Sequence, residues 1–153
     1  MLGYMANLAL ISALADKHAE VFSEALNHAS LIDGARLSRA KLSIFPHRDL
    51  QTLDQQLAAS SAEDKLVITD SVFSMDGDLA PLPELLALCE QHDAWLIVDD
   101  AHGFGVLGNQ GRGIVDHFNA TKDVDLIVGS FSKSLASTGG FFAGSKSIAV
   151  PNE

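Results

Sequence analysis

Short apolar runs separated by longer stretches of helical spacing constrain this chain more than anything else in it. Leu66-Val67-Ile68-Thr69, Trp95 to Asp99 and Asp125-Leu126-Ile127-Val128 are too short for helices and almost without polar positions, which is how strands covered on both faces read. Asp49 to Ala58 places Leu50, Leu53 and Leu57 on one helical face. Pro83 to His92 predicts a helix with proline in its first turn. Upstream, Tyr4 to Ala15 and Ser30 to Ser38 have helical spacing, and Val21-Phe22-Ser23 and Leu42 to Phe45 read as strands. Strands alternating with helices predict an α/β fold around a mostly parallel sheet. No repeat, low-complexity tract or proline-rich linker divides the 153 residues, and an apolar fraction of 47% is enough for a real core.

Open parallel sheets bind ligands beyond the carboxyl ends of their strands, and Ser74, Asp99 and Lys133 all follow predicted strands. Lys133 lies in Gly129-Ser130-Phe131-Ser132-Lys133-Ser134, where an amine among small residues can be held against a carbonyl cofactor as a Schiff base. A buried carboxylate at Asp99 can keep a pyridine nitrogen protonated. An imidazole at His102 can bond a ring hydroxyl, and the hydroxyls of Ser130 and Ser132 can bind phosphate. Together these residues read as a pyridoxal-phosphate pocket. Each has a plainer reading: most lysines after a strand are solvated, and an Asp-Asp at a strand end is often a cap or turn. The order of the pieces along the chain is what is rare.

Val72-Phe73-Ser74-Met75-Asp76-Gly77-Asp78, Val98-Asp99-Asp100-Ala101-His102-Gly103, Gly111-Arg112-Gly113 and Gly129-Ser130-Phe131-Ser132-Lys133 together resemble the α-oxoamine synthases. These are fold-type-I pyridoxal-phosphate enzymes that condense an amino acid with an acyl-CoA thioester and lose carbon dioxide. Gly3-Tyr4-Met5-Ala6-Asn7 and Leu26-Asn27-His28-Ala29-Ser30 resemble the family too, so the likeness covers nearly the whole chain. It implies that Lys133 is the Schiff-base lysine, Asp99 the partner of the pyridine nitrogen and His102 the contact to the ring hydroxyl. His28 matches the histidine that stacks on the cofactor ring, Ser74 a polar residue beside it, and Ser130 stands where the family usually has threonine. Gly3 and Tyr4 match the turn whose backbone N–H groups approach the phosphate at a helix start. Without the resemblance His28 would read equally well as a helix-start residue.

The resemblance also implies the architecture: a partial three-layer large domain of a fold-type-I pyridoxal-phosphate-dependent transferase, homodimeric in its full-length form. Residues 1–153 would be part of the cofactor-binding domain, with the N-terminal arm and the smaller C-terminal domain absent. Asp99 to Gly103 and Ser74 to Asp78 lean toward the alanine-using branch that serves biotin synthesis. Ser132 to Ser137 followed by Gly139-Gly140-Phe141 leans toward the serine-using branch, and glycine-using relatives stay open. A reading from another class is a non-catalytic remnant that lacks the walls needed for turnover. Ala149-Val150-Pro151-Asn152-Glu153 puts a proline where a helix would be expected to continue.

Charge and motif spacing exclude other classes. A net charge of −10 offers no basic field for nucleic acid or a membrane surface. Arg36, Arg39, Lys41 and Arg48 read as an exposed basic stretch. The single cysteine, Cys89, rules out an internal disulfide, reads as a buried thiol and fits a reducing cytoplasm. No stretch has the length and apolarity of a membrane span. Gly103 to Gly108 satisfies G-x-G-x-x-G, but it does not directly follow a strand or open a periodic helix, so no nicotinamide or flavin site is expected. Asp76 and Asp78 read as turn residues and not as a calcium loop. His18, His47, His92 and His117 have no ligand-like spacing, so they are expected at the surface and no metal is expected.

Overall fold

Neighbouring residues of a strand point to opposite faces, and in the central strands of this chain both sets are apolar. The computed structural model describes residues 2–121 and 123–144. In chain order the elements are α1 (Leu2–Leu14), β1 (Glu20–Glu24), α2 (Ala29–Ser38), β2 (Lys41–Phe45), α3 (Leu50–Ala59) and β3 (Lys65–Asp70). They continue as α4 (Leu82–Gln91), β4 (Trp95–Asp99), α5 (Ile114–His117), β5 (Leu126–Ser130) and β6 (Gly140–Gly144). Val21, Ile68, Ile97 and Val128 face a core shared with Leu10 and Ile11 of α1 and Leu31 and Ala35 of α2. Phe22, Val67, Leu96 and Val98 face the opposite core with Leu53, Leu57, Leu85 and Ile114 from α3, α4 and α5. Each fully buried side chain of this size contributes about 1.5–3 kcal/mol, so the sheet is stabilised from both sides.

The strand order is β2-β1-β3-β4-β5-β6. All pairings are parallel except the last, in which β6 runs antiparallel to β5. The chain passes from β1 outward to β2 and returns on the other side of β1 as β3, so the winding direction reverses between β1 and β3 and opens a crevice at their carboxyl ends.

The expected elements form with ends displaced by one or two residues, because caps set them. Asp49, expected inside α3, is its N-cap and accepts from Thr52 N at 2.9 Å. Pro81 caps α4 and Pro83 sits within its first turn. Two elements were not foreseen. β6 is Gly-Phe-Phe-Ala-Gly, glycine at both ends and half exposed, and shows no alternation. α5 has only four residues, too few for a helical period to appear. The proline break at 149–153 lies outside the described residues. Among those described, no helix is long and apolar enough to cross a membrane.

Two histidines depart from the surface expectation. His47 is partly buried, edge-on to Phe73 at 4.7 Å, with Nδ1 at 2.6 Å from Glu24 and Nε2 at 2.8 Å from Asp78. His92 is also partly buried, with Nε2 at 2.6 Å from Asp54, joining α4 to α3. Both were misread because their carboxylate partners are distant in sequence. Asp78 is accordingly more than a turn residue, since it ties the β3–α4 connection to His47 and Arg48. His18 and His117 are exposed as expected, and so are Arg36, Arg39, Lys41 and Arg48.

Burial alone would lower the His47 pKa, but the bonds to Asp78 and Glu24 outweigh it and raise the pKa above the ordinary imidazole value. Stability from a raised histidine pKa is fully present below the unfolded value of about 6.5 and is lost as pH rises through the folded value. His47→Ala is therefore expected to lower the melting temperature by roughly 2–4 °C at pH 6, the effect of about 1 kcal/mol in a chain of this size. The difference should shrink toward pH 9. Melting curves that stay equally separated at both pH values would assign the effect to lost packing instead.

Candidate active site

Carboxyl-end residues of β3, β4 and β5 meet the start of α1 and the β1–α2 connection around a cavity of about 290 Å³. Asp70 and Asp99 end adjacent strands and stand opposite each other in register. Asp99 is 7% exposed. Its Oδ2 accepts from Asn7 Nδ2 at 2.6 Å and its Oδ1 from Ala101 N at 2.9 Å. Asn7 lies one turn into α1 and also donates to Ser30 Oγ at 2.9 Å, so one amide ties α1 and α2 to the end of β4.

Lys133 and His102 form the reactive wall. The lysine Nζ lies 2.6 Å from His102 Nε2. Burial lowers the Lys133 pKa below its ordinary value, although Asp99 and Asp70 pull it back in part. Burial and then the Lys133 charge lower the His102 pKa. A lysine with a depressed pKa beside an imidazole that prefers to be neutral is an amine poised to lose its proton and add to a carbonyl carbon.

The opposite wall is a ring of small polar groups. Ser130 Oγ and Ser132 Oγ are 2.6 Å apart, and Ser132 N donates to Ser130 Oγ at 3.3 Å. A Cβ built on Gly3 would stand 3.1 Å from both Cβ and Oγ of Ser130, so the first turn of α1 lies directly against this hydroxyl. Tyr4 presents its ring edge to His28 at 6.2 Å and donates its hydroxyl to Asp33.

His28 takes the helix-start position that the sequence also allowed, and it lies at the cavity. It is the N-cap of α2, its Nδ1 accepting from Ser30 N at 3.2 Å, and its exposed ring also lines the cavity. Among the expected site residues, Gly3, Tyr4, His28, Asp99, His102, Ser130 and Lys133 line one cavity. Ser74 does not. It is exposed on the turn past β3, which closes through the Val72–Leu79 bridge and the left-handed Gly77 and carries the hydroxyl away from the lining.

The structure adds Asn7, Ser30 and Asp70 to the site. Asp70 is 4% exposed, and burial, aided by the charge of Asp99, pushes its pKa up to about 7. Its Oδ2 accepts from His28 N at 2.8 Å, while its own N–H donates to Asn27 Oδ1 at 2.8 Å. A continuous apolar run ending in an acid was the available signal, and Asp99 closes a run of the same kind.

Two other features show none of the chemistry of this cavity. Gly103 to Gly108 forms turns and bends after β4 and leads only into a three-residue 3-10 turn, not the α-helix that a dinucleotide site requires. A more open cleft of about 680 Å³ by Trp95, Phe118 and Asp125 is larger, but among the described residues no amine, imidazole or hydroxyl lines it. Cys89 on its wall is a free buried thiol, and burial pushes its pKa up to about 12, which leaves it unreactive.

Residues 2–150 match the family described as aminotransferase class I and II. The chain is 60% identical over 146 residues to the 8-amino-7-oxononanoate synthase of Janthinobacterium sp. (strain Marseille), covering 95% of this chain and 37% of that protein. Among solved structures, serine palmitoyltransferase from S. paucimobilis with bound PLP–myriocin superposes with a TM-score of 0.92 at 39% identity, over 97% of this chain and 39% of that one. The 8-amino-7-oxononanoate synthase of Francisella tularensis superposes with a TM-score of 0.84 at 35% identity, over 97% of this chain and 42% of that one. The chain thus spans about 37% of the length of the curated relative.

Proposed function

The chain belongs to the class I and II aminotransferase family, and from that premise we propose that it is the cofactor-holding part of a pyridoxal-phosphate-dependent α-oxoamine synthase. The observation that carries this reading is the Lys133–His102 pair at 2.6 Å in one cavity with the buried Asp99. The donor set fits the cofactor: an amine for its aldehyde, a buried carboxylate for its ring nitrogen, and paired hydroxyls against a helix start for its phosphate. The contact between the bare Gly3 Cα and Ser130 supports the last of these, because any side chain at Gly3 would crowd that hydroxyl. When bound, pyridoxal phosphate supplies an electrophilic carbon for amines and a protonated ring that draws electron density from the substrate α-carbon.

The residues then divide the work. Asp99, fixed by Asn7 and Ala101, would hold a proton on the ring nitrogen. Lys133 would be the amine that holds the aldehyde carbon, and as a free amine it would be the base for the substrate α-proton. His102 would hydrogen-bond the ring hydroxyl and, at 2.6 Å, can exchange a proton with Lys133 Nζ. His28 would lie against the ring, and Ser130, Ser132 and the N–H groups of Gly3 and Tyr4 would bind phosphate. Ser74, outside the cavity lining, has no part in this assignment. Asp70, with a pKa near 7, limits the negative charge beside Asp99.

The substrates are an amino acid and an acyl-CoA thioester, joined with loss of carbon dioxide. Identity to the Janthinobacterium 8-amino-7-oxononanoate synthase, 60%, exceeds the 39% to serine palmitoyltransferase, which favours the alanine-using branch and a place in biotin synthesis even though the Francisella synthase stands at 35%. The working form is a cytoplasmic homodimer of the whole protein, and no metal or nucleic acid takes part. Residues 1–153 supply part of the large cofactor domain, and turnover needs walls from the rest of the protein. Visible spectra of the purified chain with pyridoxal phosphate, then borohydride reduction and peptide mapping, should place the label on Lys133, with little synthase turnover. A label on another lysine would overturn the assignment, and robust turnover by this chain would overturn the division of labour.

A further inference from the structure

Among the described residues Asp100 is as buried as any acid, 2% exposed, and it takes no part in the chemistry proposed above. We propose that it is the positioning residue for the His102–Lys133 pair, through the glycine-rich turn at 103–113. Asp100 joins three segments. Its N–H donates to Val128 O at 2.7 Å, its carbonyl accepts from Phe104 N at 2.9 Å, and its Oδ2 accepts from Ile114 N at 2.9 Å.

Its carboxyl also occupies the space that side chains would need elsewhere in the turn. A Cβ at Gly103 would lie 2.2 Å from Asp100 Oδ1, and one at Gly113 would lie 1.9 Å from Oδ2. The turn therefore wraps the carboxyl at both ends. Between them Gly105 N donates to Gly111 O at 2.8 Å and closes the turn on itself.

The far side of the turn rests on the lysine segment. Gly105 has φ +82°, and a Cβ there would stand 2.3 Å from Ser134 Oγ. Phe104 meets Phe141 edge-on at 5.2 Å, and Phe141 stacks on Phe131 at 5.2 Å. The turn is thus a spacer with Asp100 at one end and residues 131–134 at the other. His102, between Asp100 and the turn, is set by the same carboxyl. Burial raises the Asp100 pKa to about 6 despite the Ser71 hydroxyl nearby. Its Oδ1 has no hydrogen-bond partner, so the acceptor that the turn needs is Oδ2 alone. An asparagine can supply it.

This inference rests on the reading that Lys133 and His102 act as a pair, but its test needs no cofactor. The acetylation rate of Lys133 by acetic anhydride, relative to an exposed lysine such as Lys17, is measured against pH by mass spectrometry in the purified chain and its variants. Asp100→Ala should loosen the turn, relieve the burial of Lys133 and return its pKa toward the ordinary value, slowing relative acetylation near pH 8 by about tenfold for each pKa unit recovered. Asp100→Asn should stay within about twofold of the parent. If Asp100→Ala does not fold, Gly105→Ala gives the same reading, because its Cβ displaces Ser134 without touching the carboxyl. Unchanged Lys133 rates in a folded Asp100→Ala, or in Gly105→Ala where the former does not fold, overturn the proposal, as does an Asp100→Asn that behaves like the alanine variant. Failure of the function reading appears elsewhere, as absence of the pyridoxal-phosphate label on Lys133 in the unaltered chain.

Discussion

Lys133→Ala is expected to abolish the borohydride-stable pyridoxal-phosphate label, by at least about 100-fold, while the chain stays folded. Only the primary amine of this side chain can add to the aldehyde and be trapped by reduction. Lys133 is exposed as a whole residue although its amine stands in the partly desolvated cavity, where its side chain's hydrogen bond is to His102, so truncation removes little packing. A second consequence separates the chemistry from the fold. Part of the depression of the His102 pKa comes from the Lys133 charge, so Lys133→Ala should raise that pKa toward the ordinary imidazole value while burial still holds it down. Lys133→Arg keeps a positive charge and should keep His102 depressed, but it removes the reactive amine and should be equally unlabelled. Labelling that survives in both variants, followed by mass spectrometry of the reduced peptides, would place the chemistry on a different lysine. A His102 resonance that titrates identically in all three proteins would separate the imidazole from the amine.

Most of the fold was legible because the buried strands are dense in apolar residues. Leu66 to Thr69 and Trp95 to Asp99 needed no tertiary information to be read as strands, and Leu53 and Leu57 at helical spacing gave the α3 face that is buried. The part that stayed hidden is the part set by side chains meeting across the chain. His47 could not be read as a bridge, because Glu24 and Asp78 are 23 and 31 residues away from it. Asn7 and Asp99 are separated by 92 residues, so the amide that holds the ring-nitrogen carboxylate left no local mark. β6 was missed for the opposite reason: two phenylalanines favour a strand but the glycines and alanine around them do not, and its place comes from pairing with β5. In the site, the meeting of Lys133, Asp99 and His102 in one cavity was legible from their order along the chain, each following a predicted strand. Ser74 followed the same rule and did not reach the cavity, since a strand-end position says where the backbone leaves the sheet and not which way the next turn goes.

Asp99→Asn tests whether the carboxylate acts by charge or by shape. Asparagine can still accept from Ala101 N through its side-chain oxygen, and its Nδ2 can donate to Asn7 once the Asn7 amide flips to present its unpaired Oδ1, so the β4 end should keep its geometry and the chain its fold. It cannot match a carboxylate in holding a proton on a ring nitrogen, and losing a charge-assisted bond of about 1.5–3 kcal/mol should weaken pyridoxal-phosphate labelling by roughly 10- to 150-fold at subsaturating cofactor. Asp70 supplies the internal control. Its pKa of about 7 is raised first by burial and next by the charge of Asp99, so removing that charge should move the Asp70 titration to lower pH, with burial keeping it above the ordinary aspartate value. The sign for stability follows. Asp70 has a raised folded pKa, so its ionisation costs folding free energy as pH rises from the unfolded value of about 4 through 7. Relieving the repulsion should therefore make Asp99→Asn less sensitive to alkaline pH than the parent between about pH 5 and 8. Urea unfolding at the two ends of that range reads the effect directly. A variant that binds the cofactor as tightly as the parent would show that the ring nitrogen is held by another group. An unmoved Asp70 titration would show that the two carboxylates, although in register on neighbouring strands, do not share one field.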